Sequence, residues 1–234
     1  MKKTLLIFFG ELRTFEYVIP HLKKLDKVDV MLSTWMESKR YDDKFEIDEN
    51  KIHEIYPNIK YCNIVDFKQI DDFKSKNNSW KVQHHWKTSI NSIKNYDEYD
   101  TVILHRCDLI SNWHTILDMD TKDDTIYLHY VEYHPSQKID AYPADFWVND
   151  YYFFGKPTLV KKFINLMNSK FNKSPHYDMW EVIDKNNINI ENVVLKAALV
   201  RDKDIEWHQN NEINPSDLSP LQGPEFKENV KTII

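Results

Sequence analysis

Apolar and polar positions along the chain alternate between a strand-like and a helix-like rhythm. Thr4–Phe9 (TLLIFF) is a continuous apolar run, the pattern of a strand covered on both faces. It breaks at Gly10-Glu11-Leu12-Arg13-Thr14, and Val18, Leu22 and Leu25 then predict a helix with Pro20 near its first turn. Residues 28–32 predict a second strand with Ser33-Thr34-Trp35 at its carboxyl end, and residues 36–47 are charged and read as loop. Asp48 offers a cap for a short helix through Ile55, closed by Pro57. Ile59, Tyr61, Asn63 and Val65 repeat with a period of two and predict a third strand. Ser79 is placed to cap a longer helix whose inner face is Val82, Trp86, Ile90 and Ile93. That helix leads to a fourth strand, whose core is residues 102–104 and whose end carries Arg106 and Asp108.

The rhythm changes after Asp108. Residues 125–131 predict another strand, and residues 132–149 a long polar and aromatic connection, of the kind that forms binding loops and lids. Residues 151–154 read as a short aromatic strand stopped by Gly155. Pro157 opens a helix that buries Leu159, Phe163, Leu166 and Met167. A later helix is expected from Ile190-Glu191, with Val193, Val194, Ala197 and Ala198 inside, then a last strand at residues 205–207. From Gln209 onward Asn, Pro and Ser predict a tail over residues 209–234. Strand and helix alternate, so the expected fold is α/β: a mixed, mainly parallel sheet covered by helices on both faces. No linker or repeat interrupts it, and residues 1–234 read as one domain.

Composition narrows the class. A chain of 234 residues, 41% hydrophobic and 29% charged, has the make-up of a globular domain with a real core. Its net charge of −6 comes with mixed signs and no basic stripe, which argues against a nucleic-acid binder. Three glycines, Gly10, Gly155 and Gly223, leave no G-x-G-x-x-G and no Walker loop. Cys62 and Cys107 are too few for a disulfide framework and too far apart for a zinc motif, so reduced thiols in a cytoplasmic protein are expected. The apolar run after Lys2-Lys3 is too short for a secretory leader, and no stretch has the ~20 apolar residues of a membrane span. His84, His85 and His105 invite a metal reading, but adjacent residues on a helix point apart and chelate poorly.

The candidate chemistry sits at the end of the fourth strand, since strand ends in open α/β sheets face a ligand crevice. A carboxylate such as Asp108 can hold a divalent cation there, and a guanidinium such as Arg106 can hold phosphate.

Four segments in this order resemble the GT-A-type glycosyltransferases that use nucleotide-diphosphate sugars, especially small polysaccharide-type members of microbes and their viruses. They are Gly10-Glu11-Leu12-Arg13-Thr14, Asp29-Val30-Met31-Leu32-Ser33-Thr34-Trp35, Tyr99 through Leu109, and Val148-Asn149-Asp150-Tyr151-Tyr152-Phe153-Phe154-Gly155. The resemblance implies a donor-nucleotide half over residues 1–110 and an acceptor half over residues 111–208. It also implies an Asp-x-Asp that binds a metal on the diphosphate. Here that triplet is Arg106-Cys107-Asp108, with the second carboxylate alone remaining. Asp108 is thus the candidate ligand for Mg²⁺ or Mn²⁺, and Arg106 a cation that neutralises phosphate directly.

The remaining roles follow from that frame. Gly10, Arg13 and Thr14 would form a nucleotide-binding turn, where Gly10 admits backbone N–H groups and Arg13 adds charge. Thr34 and Trp35 would flank the base. Asp150 is the first candidate for the base that takes the acceptor's proton, with Asp145 and Glu191 as second choices. Tyr142, Trp147 and Tyr151 would offer a platform for the acceptor sugar. Each has a plain structural alternative: a capping aspartate, a salt-bridged arginine, a buried tryptophan, or a glutamate complementing a helix dipole. The expected function is transfer of a sugar from a nucleotide-diphosphate donor to a hydroxyl acceptor, a glycan. Two alternatives stand beside it: a hydroxymethylated DNA base as acceptor, or a non-catalytic sugar-nucleotide or glycan-binding module.

Overall fold

The alternation within β1 (Thr4–Phe9) shows why the chain folds in layers. Leu5, Ile7 and Phe9 enter one apolar cluster while Leu6 and Phe8 enter another, because successive side chains of a strand leave opposite faces. A strand apolar on both faces needs cover on both. The computed structural model describes residues 2–18, 28–40, 43–132, 146–167, 174–200 and 218–220, and in it that cover is helical on either side.

After β1 come a 3₁₀ turn, α1 (Phe15–Val18), β2 (Asp29–Trp35), β3 (Glu37–Arg40), β4 (Asp43–Glu46), α2 (Glu49–Ile55) and β5 (Ile59–Val65). Then follow α3 (Asn78–Ser92), β6 (Thr101–Arg106), β7 (Leu109–Ser111), β8 (Thr125–Glu132) and β9 (Phe146–Gly155). The last described elements are α4 (Pro157–Leu166), α5 (Pro175–Asn186), β10 (Asn189–Asn192) and β11 (Ala197–Leu199). One 7-stranded sheet has the order β10-β8-β9-β6-β1-β2-β5. Its strands run parallel except β9, which is antiparallel to both β6 and β8. The fold is therefore the expected mixed, mainly parallel sheet. α3, α4 and α5 pack on one face around Trp86, Phe153 and Phe163, whose rings meet edge to face. The other face is covered by α1, α2 and the 3₁₀ turn carrying Trp113.

Several local expectations change. Residues 36–47, read as loop, contain the antiparallel hairpin β3–β4, which stands outside the main sheet and so has no need of an apolar alternation. Asn77, not Ser79, caps α3 by accepting from the Trp80 N–H at 2.7 Å. No helix starts at Ile190-Glu191. Residues 189–192 add to β8 as β10, and Ala197–Leu199 pairs with β7 as β11, so edge pairing overrides the helical spacing of Val193, Val194, Ala197 and Ala198. α5 was not anticipated, although Ser174-Pro175 is a cap-and-first-turn signature, with Ser174 accepting from the Tyr177 N–H. The expected connection over residues 132–149 is shorter, since residue 132 ends β8 and residues 146–149 begin β9, which is longer than the predicted aromatic strand. Residues 133–145, the helix expected on Leu22 and Leu25 and the strand at residues 205–207 lie outside the described residues. Of the expected tail, Ser219 is described; its carbonyl accepts from the Ala197 N–H at 3.1 Å.

Three buried histidines tie this architecture to pH. Burial drives the pKa down to about 3 for His85 on α3, with the neighbouring His84 adding to the effect. Burial likewise takes His105 on β6 and His129 on β8 down to about 4. An unfolded histidine titrates near ~6.5, so below that pH the unfolded chain binds protons that the folded one refuses. Stability is complete above this range and falls as pH drops toward about 4, by about 1.4 kcal/mol per pH unit for each such histidine. Urea unfolding between about pH 7 and about pH 4.5 should show a steady decline; a flat profile would contradict the neutral, buried assignment.

Candidate active site

The carboxyl ends of β1, β2 and β6 open onto a cleft of about 810 Å³, within the size range of small-molecule sites. Gly10, Trp35, Arg106, Asp108, Asp150 and His176 all line it. The reversed direction of β9 explains why Asp150 belongs there. His105 pairs with Tyr152, so the chain just before Tyr152 lies beside the turn that follows β6.

That turn is fixed from several sides. The Cys107 N–H donates to the Phe9 carbonyl at 3.0 Å, and its thiol donates to the Glu11 carbonyl at 3.1 Å. The ends of β1 and β6 are thereby joined. On the other side the Asp108 carbonyl accepts from the Val200 N–H at 2.8 Å. Beneath, His105 Nδ1 lies 2.8 Å from the Arg106 carbonyl and Nε2 2.7 Å from the Ser111 hydroxyl. A carbonyl only accepts, so Nδ1 carries the proton and Nε2 accepts from Ser111. A neutral His105 satisfies both contacts, in keeping with its lowered pKa.

Arg106 forms a two-pronged pair with Asp108, Nε to Oδ1 at 2.8 Å and Nη2 to Oδ2 at 2.7 Å. Its third nitrogen, Nη1, stands 3.5 Å from Asp150 Oδ1, and the guanidinium lies 5.5 Å from the centre of the Tyr151 ring. Burial works against its charge, but the Asp108 charge and hydrogen bonds, then the Asp150 charge, outweigh it and raise its pKa. Arg106 is a permanent cation. His176 Nε2 is 3.7 Å from Asp150 Oδ1, while Nδ1 donates to the Val148 carbonyl at 2.7 Å, and the ring packs on Trp147. These contacts gather Arg106, Asp108, Asp150, Trp147 and Tyr151 around one point.

The metal expectation meets an obstacle here. Each Asp108 oxygen accepts from the guanidinium, so the carboxylate's charge is already paired with a cation. A carboxylate already paired with a guanidinium is a poor fit for Mg²⁺ or Mn²⁺, which ask for several oxygen ligands and would meet the Arg106 charge beside them.

The other candidates divide. Gly10 adopts φ +120°, a region that disfavours side chains, and an added Cβ would lie 3.3 Å from Cys107 Sγ. Arg13 lies in the 3₁₀ turn over Leu12–Thr14. Thr14 is buried and its hydroxyl donates to the Val200 carbonyl at 3.1 Å, so it holds β11's end rather than a ligand. Thr34 is buried in β2 with no partner for Oγ1 among the described residues. Trp35 lines the cleft but is 9% exposed, wedged against Phe73, His84 and His85, which leaves little of a stacking face. Glu191 is on β10 at the sheet's edge and pairs with Lys122 at 3.1 Å; it is neither in a helix nor in the cleft wall. Tyr142 and Asp145 lie outside the described residues.

The sequence reading missed the back wall, which α3 and α5 build. Asp178 on α5 accepts from Ser79 and, at 2.6 Å, from Gln83 Nε2, both on α3. This buried clamp fixes the helix that carries His176 to the helix that carries Lys81 and His85, all three of which face the cleft. Asn63 Nδ2 donates to Ser33 Oγ and Thr88 Oγ1, each at 2.8 Å, and Ser33 Oγ is 3.0 Å from His85 Nδ1. These contacts tie β2, β5 and α3 together at the cleft's base. His85 Nε2, on the other side of the ring, is buried with no hydrogen-bond partner among the described residues.

No protein-family model and no curated protein sequence matches the chain. A putative glucose-1-phosphate thymidylyltransferase from Bacillus anthracis, in complex with a sucrose, is similar over 91% of this chain and 97% of its own, at TM-score 0.50 and 10% identity. A galactosyltransferase, LgtC, in complex with donor and acceptor sugar analogues, is similar over 88% of this chain and 70% of its own, at TM-score 0.45 and 11% identity. The glycosyltransferase GlyE of Streptococcus pneumoniae TIGR4 gives TM-score 0.44 at 10% identity over 82% of this chain, which spans 45% of GlyE's length. At such identities the likeness to the thymidylyltransferase bears on the fold alone, and the two weaker ones add no argument. No helix among the described residues is long and apolar enough to cross a membrane.

The positive φ of Gly10 makes it sensitive to any added side chain. Gly10→Ala should destabilise the protein by about 1–3 kcal/mol in chemical denaturation. A loss within error of zero would show that the turn relaxes freely.

Proposed function

We propose that the chain is a glycosyltransferase that moves a sugar from a nucleotide-diphosphate donor to a hydroxyl of a glycan acceptor. The observation that carries this reading is the convergence of Gly10, Arg106, Asp108 and Asp150 in one cleft at the carboxyl ends of parallel strands. A permanent cation at that place suits a diphosphate leaving group, and Lys81 on the same cleft adds a second positive charge.

In the proposed reaction the acceptor hydroxyl gives its proton to Asp150 as its oxygen bonds to the anomeric carbon. The bond from that carbon to the diphosphate oxygen breaks, and the electron pair leaves with the diphosphate. Arg106, 3.5 Å from Asp150, is close enough to balance the new charge while Asp150 takes the proton. Donor phosphate would compete with Asp108 for the guanidinium. Trp147 and Tyr151, which pack on His176 and beneath Arg106, provide apolar faces on the acceptor side. A chain of net charge −6 favours a glycan over DNA as acceptor.

A thermal-shift panel of nucleoside-diphosphate sugars, run in chelator and again with Mn²⁺, tests the proposal. The matching donor should stabilise the protein by about 2.7 kcal/mol at a hundredfold excess over Kd. Because Arg106 supplies the charge, the shift should survive chelation and vanish in Arg106→Gln. Asp150→Asn should retain donor binding and lose about 10²–10⁴-fold in transfer rate. Donor binding without any turnover would identify a binding module instead; no shift with any nucleoside-diphosphate sugar would sink the reading.

A further inference from the structure

A second cluster of chemistry-bearing side chains stands apart from the cleft, where α2 covers the edge strand β5. Ile52 anchors that helix to the core, and the Asp48 cap accepts from the Lys51 N–H at 2.8 Å. Glu49 and His53 are four residues apart, which puts them on one side of the helix, with Oε1 and Nε2 3.6 Å from each other. Cys62 on β5 packs toward the same cluster as Ile52 and brings its thiol to the pair. The carboxylate oxygen, imidazole nitrogen and sulfur all lie within 4.8 Å of one another, and this is the one such group of three among the described residues.

We propose that Glu49, His53 and Cys62 form a binding site for a zinc-class divalent cation that fastens α2 to the edge of the sheet. The donor set selects the metal. A thiolate and an imidazole suit Zn²⁺ and its borderline-soft neighbours, whereas Mg²⁺ and Ca²⁺ ask for oxygen alone. Metal–ligand bonds of about 2.0–2.3 Å set donor-to-donor edges of roughly 3.3–3.8 Å in a tetrahedral site. The side chains must therefore close by at most about 1.5 Å, which an exposed Glu49 and a half-exposed His53 do by rotamer changes. Their exposure leaves the fourth position to water. Without a cation the Glu49–His53 contact is an ordinary surface pair worth little, and nothing in it calls for a thiol beneath. Burial and the Glu49 charge push the Cys62 thiol up to about 11, so the cation itself must drive off the sulfur proton, which passes to solvent as the metal–sulfur bond forms.

The test uses the full chain stripped with chelator and titrated with Co²⁺, followed by displacement with Zn²⁺. One equivalent should bind with a near-ultraviolet sulfur-to-cobalt charge-transfer band, and Zn²⁺ should abolish that band and raise Tm. Cys62→Ser should lose the band and the Zn²⁺-dependent rise in Tm. His53→Ala, at a surface position where folding is not at stake, should lose one-to-one saturation. An absent charge-transfer band in the wild-type chain, or a Zn²⁺-induced rise in Tm that persists in Cys62→Ser and His53→Ala alike, would overturn the proposal. The other thiol, Cys107, adjoins Asp108, so it is the loss of the band in Cys62→Ser that assigns it to β5 and separates it from any cation at Asp108.

Discussion

One cation, held between two carboxylates at the end of a buried strand, organises the carboxyl edge of this sheet. Arg106 is 20% exposed and its partners Asp108 and Asp150 are 6% and 7% exposed, so each charge has given up much of its hydration. A lone charge could not remain there, since removing one member of a buried pair costs several kcal/mol, of order 3–5. The pair need not add much net stability over an apolar replacement. What it fixes is position: the fork in Arg106 dictates the orientation of Asp108, and the free end dictates the distance to Asp150. Cys107 and neutral His105 hold the backbone on which that geometry rests.

The sheet was largely legible because its signal is local and repeated. Leu5 to Phe9 can face two clusters only if the strand is covered twice, and the same logic holds for residues 102–104. What remained hidden depends on pairing partners that a linear reading does not contain. Residues 189–192 have too little burial to show a period, and β8 alone makes them a strand. The helix α5 has its Ser-Pro start in plain view but a mean face interrupted by Asp178 and His176, the residues it contributes to the clamp and the cleft.

The site divides in the same way. Arg106, Asp108 and Asp150 could be singled out because charges directly beside apolar strand cores are conspicuous. Glu191 and Thr14 misled for a related reason: a polar residue near an element's end looks the same whether it meets solvent, a carbonyl or a ligand. Thr14 is satisfied by Val200, a partner 186 residues away. The Glu49–His53–Cys62 group was invisible because spacing rules for zinc search along the chain for paired cysteines, whereas here a helix supplies two donors and a strand the third.

The clamp between α3 and α5 has a mechanical consequence. Asp178 belongs to the same helix as His176, and Ser79 and Gln83 to the same helix as Lys81 and His85, so the two halves of the back wall are riveted into a single slab. Their spacing is set by a buried polar joint, so sliding one helix past the other would pull the Asp178 carboxylate from its Ser79 and Gln83 donors. A cut in that joint would therefore be felt across the whole wall, at His176 on one helix and at Lys81 and His85 on the other.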